Sequence, residues 1–263
     1  MHSEGTRADP VLPASGERSC EIDFGGATLT LTGDRAIWWA DERALLLADV
    51  HLGKPASFRE RGAPVPEDVT AGDLARMDAL IARYAPERLV ILGDLAHDRA
   101  AWHSTTLDAF AAWRATHSGL GVVLVRGNHD RWAADPPASL GIEVVEPGWV
   151  LGSGDRRLAM HHEPPSESRD QAGPEKATPA LCGHLHPGVR LHHARGRGRP
   201  GLRAACYWFS GLELGRPSGM LPAFGRCTGC AMIRPAAGDR VFVVGDGGVI
   251  EAGAGVRGEP GRA

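Results

Sequence analysis

Gly121-Val122-Val123-Leu124-Val125, followed after Arg126 by Gly127-Asn128-His129-Asp130, is the stretch that decides how this chain is read. Its first half is an apolar run of the length and residue type a buried strand uses. Its second half is chemically dense. Gly127 lets the backbone turn sharply. Asn128 offers a neutral oxygen to a hard cation, His129 can carry a proton near neutral pH, and Asp130 can orient that imidazole. Taken alone, the cluster equally describes a loop with a capping Asn and a solvated His. The rest of the chain decides between the two.

The 263 residues are 43% hydrophobic and 23% charged, ordinary values for a globular protein of one large or two small domains. A formal net charge of -3 gives no global basic field for nucleic acid. Five cysteines, an odd number spread from Cys20 to Cys230, argue for a reducing compartment rather than a disulfide framework. Cys227-Thr228-Gly229-Cys230 has no second pair at metal spacing and is read as two ordinary thiols in a turn. No run approaches the ~18 apolar residues of a membrane span, and residues 1–19 lack an apolar signal core. We therefore expect disordered tails at 1–19 and 253–263, one domain over 20–252, and a cytoplasmic location without membrane contact. Twelve histidines are many for such a chain, and several cluster beside carboxylates and glycines, as metal sites do.

Outward from the central stretch, similar strand ends recur. Residues 21–39 read as two or three short strands. Ala44 to His51 is an apolar run that ends in Asp49-Val50-His51. In a strand, residues i and i+2 point the same way, so Asp49 and His51 are expected to leave one face together. Lys54, Arg59 and Arg61 follow where an anionic substrate would approach, although the two arginines read better as a charged surface loop. Leu74, Met77, Ile81 and Tyr84 keep helical spacing up to Pro86. Arg88 to Asp94 is a second buried strand, ending in Gly93-Asp94, and the order strand, helix, strand predicts a parallel unit. Asp94 then lands near Asp49 and can bridge two cations. His97 and Asp98 stand one turn on, as support for the ligands or as a loop pair. A helix is expected over Trp102 to His117 with Ser104 as its cap. The three strand ends share the carboxyl edge where open α/β sheets bind ligands.

Further on, Ile142 to Leu151 reads as a strand pair, and Arg157 to His162 as a strand closing on two histidines. Only one of His161 and His162 can face the site, and the pattern does not say which. Residues 165–178 read as a loop. Gly183-His184-Leu185-His186 supplies another i, i+2 pair. Pro187 to Leu212 holds no acidic residue, and Arg195, Arg197 and Arg199 there either track a phosphodiester backbone or form a solvated hairpin loop. Residues 204–209, 220–224 and 240–244 read as strands of a second sheet.

Together these clusters offer seven to eight nitrogen and oxygen ligands and no thiolate. That describes a two-metal site for manganese, iron or zinc rather than a structural zinc knot.

From residues 44 to 187 this constellation resembles the calcineurin-like metallophosphoesterases. Ala48 to Lys54, Ser57-Phe58, His162-Glu163-Pro164, Gly183 to Pro187 and Leu221 to Gly225 resemble more narrowly the bacterial ligase-associated DNA damage response endonucleases. The resemblance implies an α/β fold, a four-layer α/β/β/α sandwich of two mixed β-sheets flanked by helices. It assigns Asp49, His51 and His186 to one metal and Asn128, His162 and His184 to the other, with Asp94 bridging. It favours His162 over His161. It leaves His129 as general acid with Asp130 orienting it, and Lys54, His97 and the three arginines as substrate contacts. The implied activity is two-metal hydrolysis of phosphodiesters, as a DNA endonuclease in bacterial repair, with manganese ahead of zinc or iron. Association with a DNA ligase, a helicase and an exonuclease of one repair system is implied as well. The alternatives are a phosphomonoesterase or nucleotide hydrolase of the same fold, and a catalytically silent metal-stabilised DNA-repair scaffold.

Overall fold

Buried strands lie where the apolar runs predict them. A computed structural model describes residues 19–66, 68–103, 105–165, 178–191, 202–210, 216–245 and 248–252. The expectations for both tails, for Ser104 as a cap, for the loop at 166–177 and for Arg195, Arg197 and Arg199 fall outside these residues. A first sheet holds seven strands whose spatial order follows the sequence: β1 (Cys20–Phe24), β2 (Ala27–Leu31), β3 (Ile37–Trp39), β4 (Ala44–Leu47), β5 (Arg88–Leu92), β6 (Gly121–Val125) and β7 (Ile142–Val145). Strands β1 to β4 are antiparallel neighbours, and β4 to β7 are parallel. Helices make the parallel half possible. α1 (Lys54–Glu60) and α2 (Val69–Tyr84) lie between β4 and β5, α3 (Thr105–Thr116) between β5 and β6, and α4 (Asn128–Ala133) between β6 and β7.

Both faces of β4, β5 and β6 are covered, which is why their sequences are continuously apolar. Leu45, Leu47, Leu89, Ile91, Val122 and Leu124 meet Leu74, Met77, Leu80, Phe110 and Trp113 of α2 and α3. Ala44, Leu46, Val90, Leu92 and Val125 point the other way, into a second sheet. That sheet holds nine strands: β8 (Trp149–Leu151), β9 (Leu158–Met160), β10 (Ala180–Cys182), β11 (Pro187–Leu191), β12 (Leu202–Ser210), β13 (Ser218–Met220), β14 (Ala231–Met232), β15 (Arg240–Gly245) and β16 (Gly248–Glu251). It too is mixed, with β10 parallel to β9 and β13 while β12 is antiparallel to β11, β13 and β15. Tyr207 pins the two sheets together, its hydroxyl lying 2.8 Å from the Thr32 carbonyl and 2.9 Å from that of Ala36. The architecture is the expected α/β sandwich of two mixed sheets.

Several local expectations change. Residues 54–60 are a helix rather than a charged loop; Pro55 stands in its first turn and Gly53 enters it at φ 86°. A proline in the first helical turn is the signal that could have found it. Ile142 to Leu151 gives two strands, but β7 and β8 belong to different sheets, with Gly148 turning the chain between them at φ 97°. The strand expected over Met220 to Phe224 stops at Met220. Its continuation crosses to the first sheet instead, where Phe224 N donates to Ala48 O at 2.8 Å and Gly225 N to Asp49 O at 3.1 Å. No helix among the described residues is long and apolar enough to cross a membrane.

Candidate metal centre

The residues read as ligands do converge, by a different route from the expected one. Strand β4 ends at Leu47 and β5 at Leu92, so Asp49, His51 and Asp94 lie beyond the strands. All three have left-handed backbones, with φ of 56°, 53° and 54°, and His184 and His186 follow at 67° and 46°. Nine non-glycine residues among those described have positive φ, and these five are the majority. Each is held against its preference for φ below zero, a form of strain that clusters at functional sites. The i, i+2 pairs meet because of these kinks, and not because of the strand pleat. The loops after β4 and β5 run side by side, joined by Asp49 N to Gly93 O at 3.1 Å and His51 N to Asp94 O at 2.9 Å. Gly93 is required there: at φ 78° a Cβ would collide with the His162 imidazole.

Two groups of side chains face one another. Ligand atoms of Asp49, His51 and His186 lie within 4.8 Å of one another, as do those of Asp94, His162 and His184. Asn128 joins the second group, its Oδ1 standing 2.8 Å from His162 Nε2 and 3.0 Å from His184 Nδ1. Asp94 connects the two: its Oδ2 is 3.3 Å from His162 Nε2 and 3.8 Å from His51 Nε2. The ambiguous pair resolves as well. His162 is 1% exposed, and its Nδ1 donates to Leu92 O at 2.9 Å, leaving Nε2 for the site. His161 lies away from the two groups, its ring beside Gly148.

These donors suit divalent cations. Asp49, His51, Asp94 and His162 are all buried, yet neither ring nitrogen of His51 has a hydrogen-bond partner among the described residues. A buried imidazole without partners is costly unless something else uses its lone pair. Burial, helped by the charge of Lys54, pushes His51 down to about 2, so it presents the neutral form a cation binds. Burial would lower His162 too. The Asp94 carboxylate beside it outweighs that and holds it up at about 9, while Asp94 is lowered in turn. The carboxylates thus favour positive charge at this spot. Lys54, at the first turn of α1, feels both Asp49 and Asp94, although burial lowers its pKa.

Gly127-Asn128-His129-Asp130 forms the strand end and first turn of α4. His129 lies outside those two groups, but with His51 and His97 it makes a third whose ligand atoms also lie within 4.8 Å of one another. Its Nδ1 donates to the His97 carbonyl at 2.7 Å, its ring stacks on that of His97 with centroids 5.0 Å apart, and its backbone amide donates to Asp94 Oδ1 at 2.9 Å. A backbone carbonyl leaves no trace in a sequence pattern, so this orienting partner was not legible. Asp130 corrects the expectation made for it. Its carboxylate does not touch the imidazole. It accepts from the amides of Asp94 at 2.8 Å, Leu95 at 3.0 Å, Ala96 at 3.3 Å and Gly127 at 2.8 Å. Asp130 is therefore a buried clamp between the ends of β5 and β6. Asp98 is a loop cap, accepting from Ala100 N. Asp130→Asn places an amide group against amide donors. It is expected to cost about 2–4 kcal/mol of stability, since each buried donor left unpaired costs about 1–3 kcal/mol. Chemical denaturation measures this. A variant as stable as the parent would mean that the clamp contributes little to the stability of the fold.

The described cysteines are all free thiols. Residues 42–188 match the family model described as calcineurin-like phosphoesterase. The chain belongs to the calcineurin-like phosphoesterases, and it is a metal-dependent hydrolase of that family. Among solved structures it is similar to the nuclease MPE of Pseudomonas putida, at 41% identity over 89% of this chain and 100% of that one, with a TM-score of 0.70. The phosphoesterase Yfce of E. coli shares 15% identity over 80% of this chain and 97% of that one, with a TM-score of 0.38. A protein of unknown function from Aquifex aeolicus shares 15% over 59% and 82%, with a TM-score of 0.37. No curated protein matches the chain.

Proposed function

We propose that the protein is a two-metal phosphodiesterase acting on DNA, an endonuclease of bacterial DNA repair. The observation that carries this reading is the place of Asp94, one carboxylate oxygen between two groups of ligands. In the proposed assignment Asp49, His51 and His186 would hold one divalent ion and Asn128, His162 and His184 the other, with the Asp94 carboxylate shared between them. When bound, two such ions supply an acidic water and positive charge against the phosphoryl oxygens. The donors, four imidazoles, two carboxylates and an amide, suit manganese, iron or zinc, and manganese is put first through the family resemblance.

The chain's own residues then divide the remaining work. A water oxygen that has given one proton to solvent bonds to phosphorus while the bond from phosphorus to the leaving sugar oxygen breaks. His129 gives that oxygen a proton from Nε2, because its Nδ1–H is committed to the His97 carbonyl. Lys54, which feels Asp49 and Asp94 from the first turn of α1, would meet a phosphate, and His97 supports the His129 ring. The similarity to a nuclease at 41% identity favours nucleic acid over a small ester. Partnership with a DNA ligase, a helicase and an exonuclease belongs to this proposal through the family resemblance.

The test is a reconstitution. Protein stripped of metal and reloaded with Mn, Zn, Fe or Mg is assayed on single-stranded DNA, a nitrophenyl phosphodiester and a nitrophenyl phosphomonoester. Cleavage of internal DNA bonds with two Mn ions bound is the expected result. Turnover of the monoester alone would replace the reading with a phosphomonoesterase, and no turnover with any metal would leave a scaffold.

A further inference from the structure

Trp132 differs from the other six tryptophans. Trp39, Trp102 and Trp113 are buried, Trp38 stacks on Tyr84, and Trp149 and Trp208 are half-buried, the last bonded to Asp239. Trp132 is 78% exposed, the most exposed large hydrophobic residue among those described. A tryptophan presented to water offers a broad apolar face for something to cover.

Its direction is set by α4. A helix turns about 100° per residue. Trp132 therefore projects about 40° from Asn128 and about 60° from His129, between the two residues of that helix that face the site. Asp130, about 160° from Trp132, and Ala133, about 100° from it, are the buried anchors. Helical side chains also lean toward the N-terminus, so the Trp132 ring lies over the turn that begins with Asn128 and His129. The helix itself is fixed. Asp130 clamps its first turn, Trp102 Nε1 donates to Ala134 O at 3.1 Å just past its end, and Arg131 pairs with Glu146 at 3.3 Å. The ring is an exposed aromatic face on a fixed helix whose first turn carries Asn128 and His129.

We propose that Trp132 is a stacking platform for an unpaired nucleobase next to the bond that is cut; this rests on the phosphodiesterase reading above. Every base has a π-face, so such a platform is tolerant of sequence. In a duplex those faces are already stacked, so the platform selects single strands. It acts on the nucleotide rather than on the phosphate, and so it belongs to substrate choice and not to the chemistry.

The discriminating substrate is one without bases. The Mn-loaded protein is assayed on a single-stranded oligonucleotide and on an oligonucleotide of abasic residues with the same phosphodiester backbone. The quantity read is the ratio of kcat/KM on the two. In Trp132→Ala this ratio should fall about tenfold, mainly through KM on the base-bearing strand, as expected for loss of one base–aromatic stack. Trp132→Phe should restore most of it, and thermal unfolding should confirm that both variants are folded. An unchanged ratio in Trp132→Ala, with the parent still cutting DNA, overturns the platform and leaves the phosphodiesterase reading intact. A parent that cuts neither oligonucleotide overturns both.

Discussion

Asp94→Asn is expected to abolish hydrolysis and to leave at most one divalent ion per chain. Asp94 is buried, and its two oxygens have separate duties. Oδ1 accepts the His129 amide, while Oδ2 stands between His162 Nε2 and His51 Nε2. Asparagine preserves the shape and one acceptor, but it removes the negative charge that faces both groups. If Asp94 bridges, both ions lose a ligand at once. Stabilisation of several kcal/mol at the phosphoryl group, at tenfold per 1.36 kcal/mol, makes a loss of about 10³-fold the expected scale. Elemental analysis of the purified variant and its rate on a phosphodiester measure the two effects together. Near-normal turnover with two ions bound would remove Asp94 from the bridge.

His129→Ala should separate the proton from the metals. A sugar alkoxide is a poor leaving group and needs a proton as the bond to phosphorus breaks, whereas a nitrophenolate leaves nearly unaided. The variant should therefore cut DNA about 10²–10⁴-fold more slowly, the range of general acid catalysis. It should lose far less on a nitrophenyl phosphodiester, with both ions retained. The geometry supports this division, because the ring is oriented by the His97 carbonyl and its stack on His97 rather than by Asp49 or Asp94. Loss of an ion, or equal slowing on both substrates, would make His129 a ligand or a clamp on the substrate.

The sequence picked out residues that do converge, but by an argument the backbone does not follow. Strands β4, β5 and β6 were legible because both faces are buried and their runs are apolar throughout. Asp49 with His51, and His184 with His186, were picked out by a strand-pleat argument, yet their backbones are left-handed and lie outside the strands. The i, i+2 spacing survives that error because a kinked loop also brings alternate residues together. His161 and His162 could not be told apart by pattern, since which one turns inward depends on Gly93 giving room to the second. Asp130 was misread for a related reason. Its four partners are backbone amides contributed by two strand ends, and amides carry no sequence signature. The split of β7 and β8 between two sheets is equally a matter of tertiary packing, signalled only by the turn at Gly148.

The five left-handed residues have a consequence for descent. A non-glycine residue in that conformation costs roughly 1–2 kcal/mol, so five together approach the net stability of an entire domain, about 5–15 kcal/mol. Glycine would relieve the cost at each position and would remove a ligand with it. A lineage that kept this fold but abandoned the chemistry would therefore gain stability by drifting to glycine at 51, 184 and 186. Glycine at 49 or 94 would also leave the His184 or His129 amide without its carboxylate acceptor, so the backbone relief there is offset in part. At 49, 51, 94, 184 and 186 this chain has Asp, His, Asp, His and His. At these five positions the side chain present and the backbone's own preference pull in opposite directions.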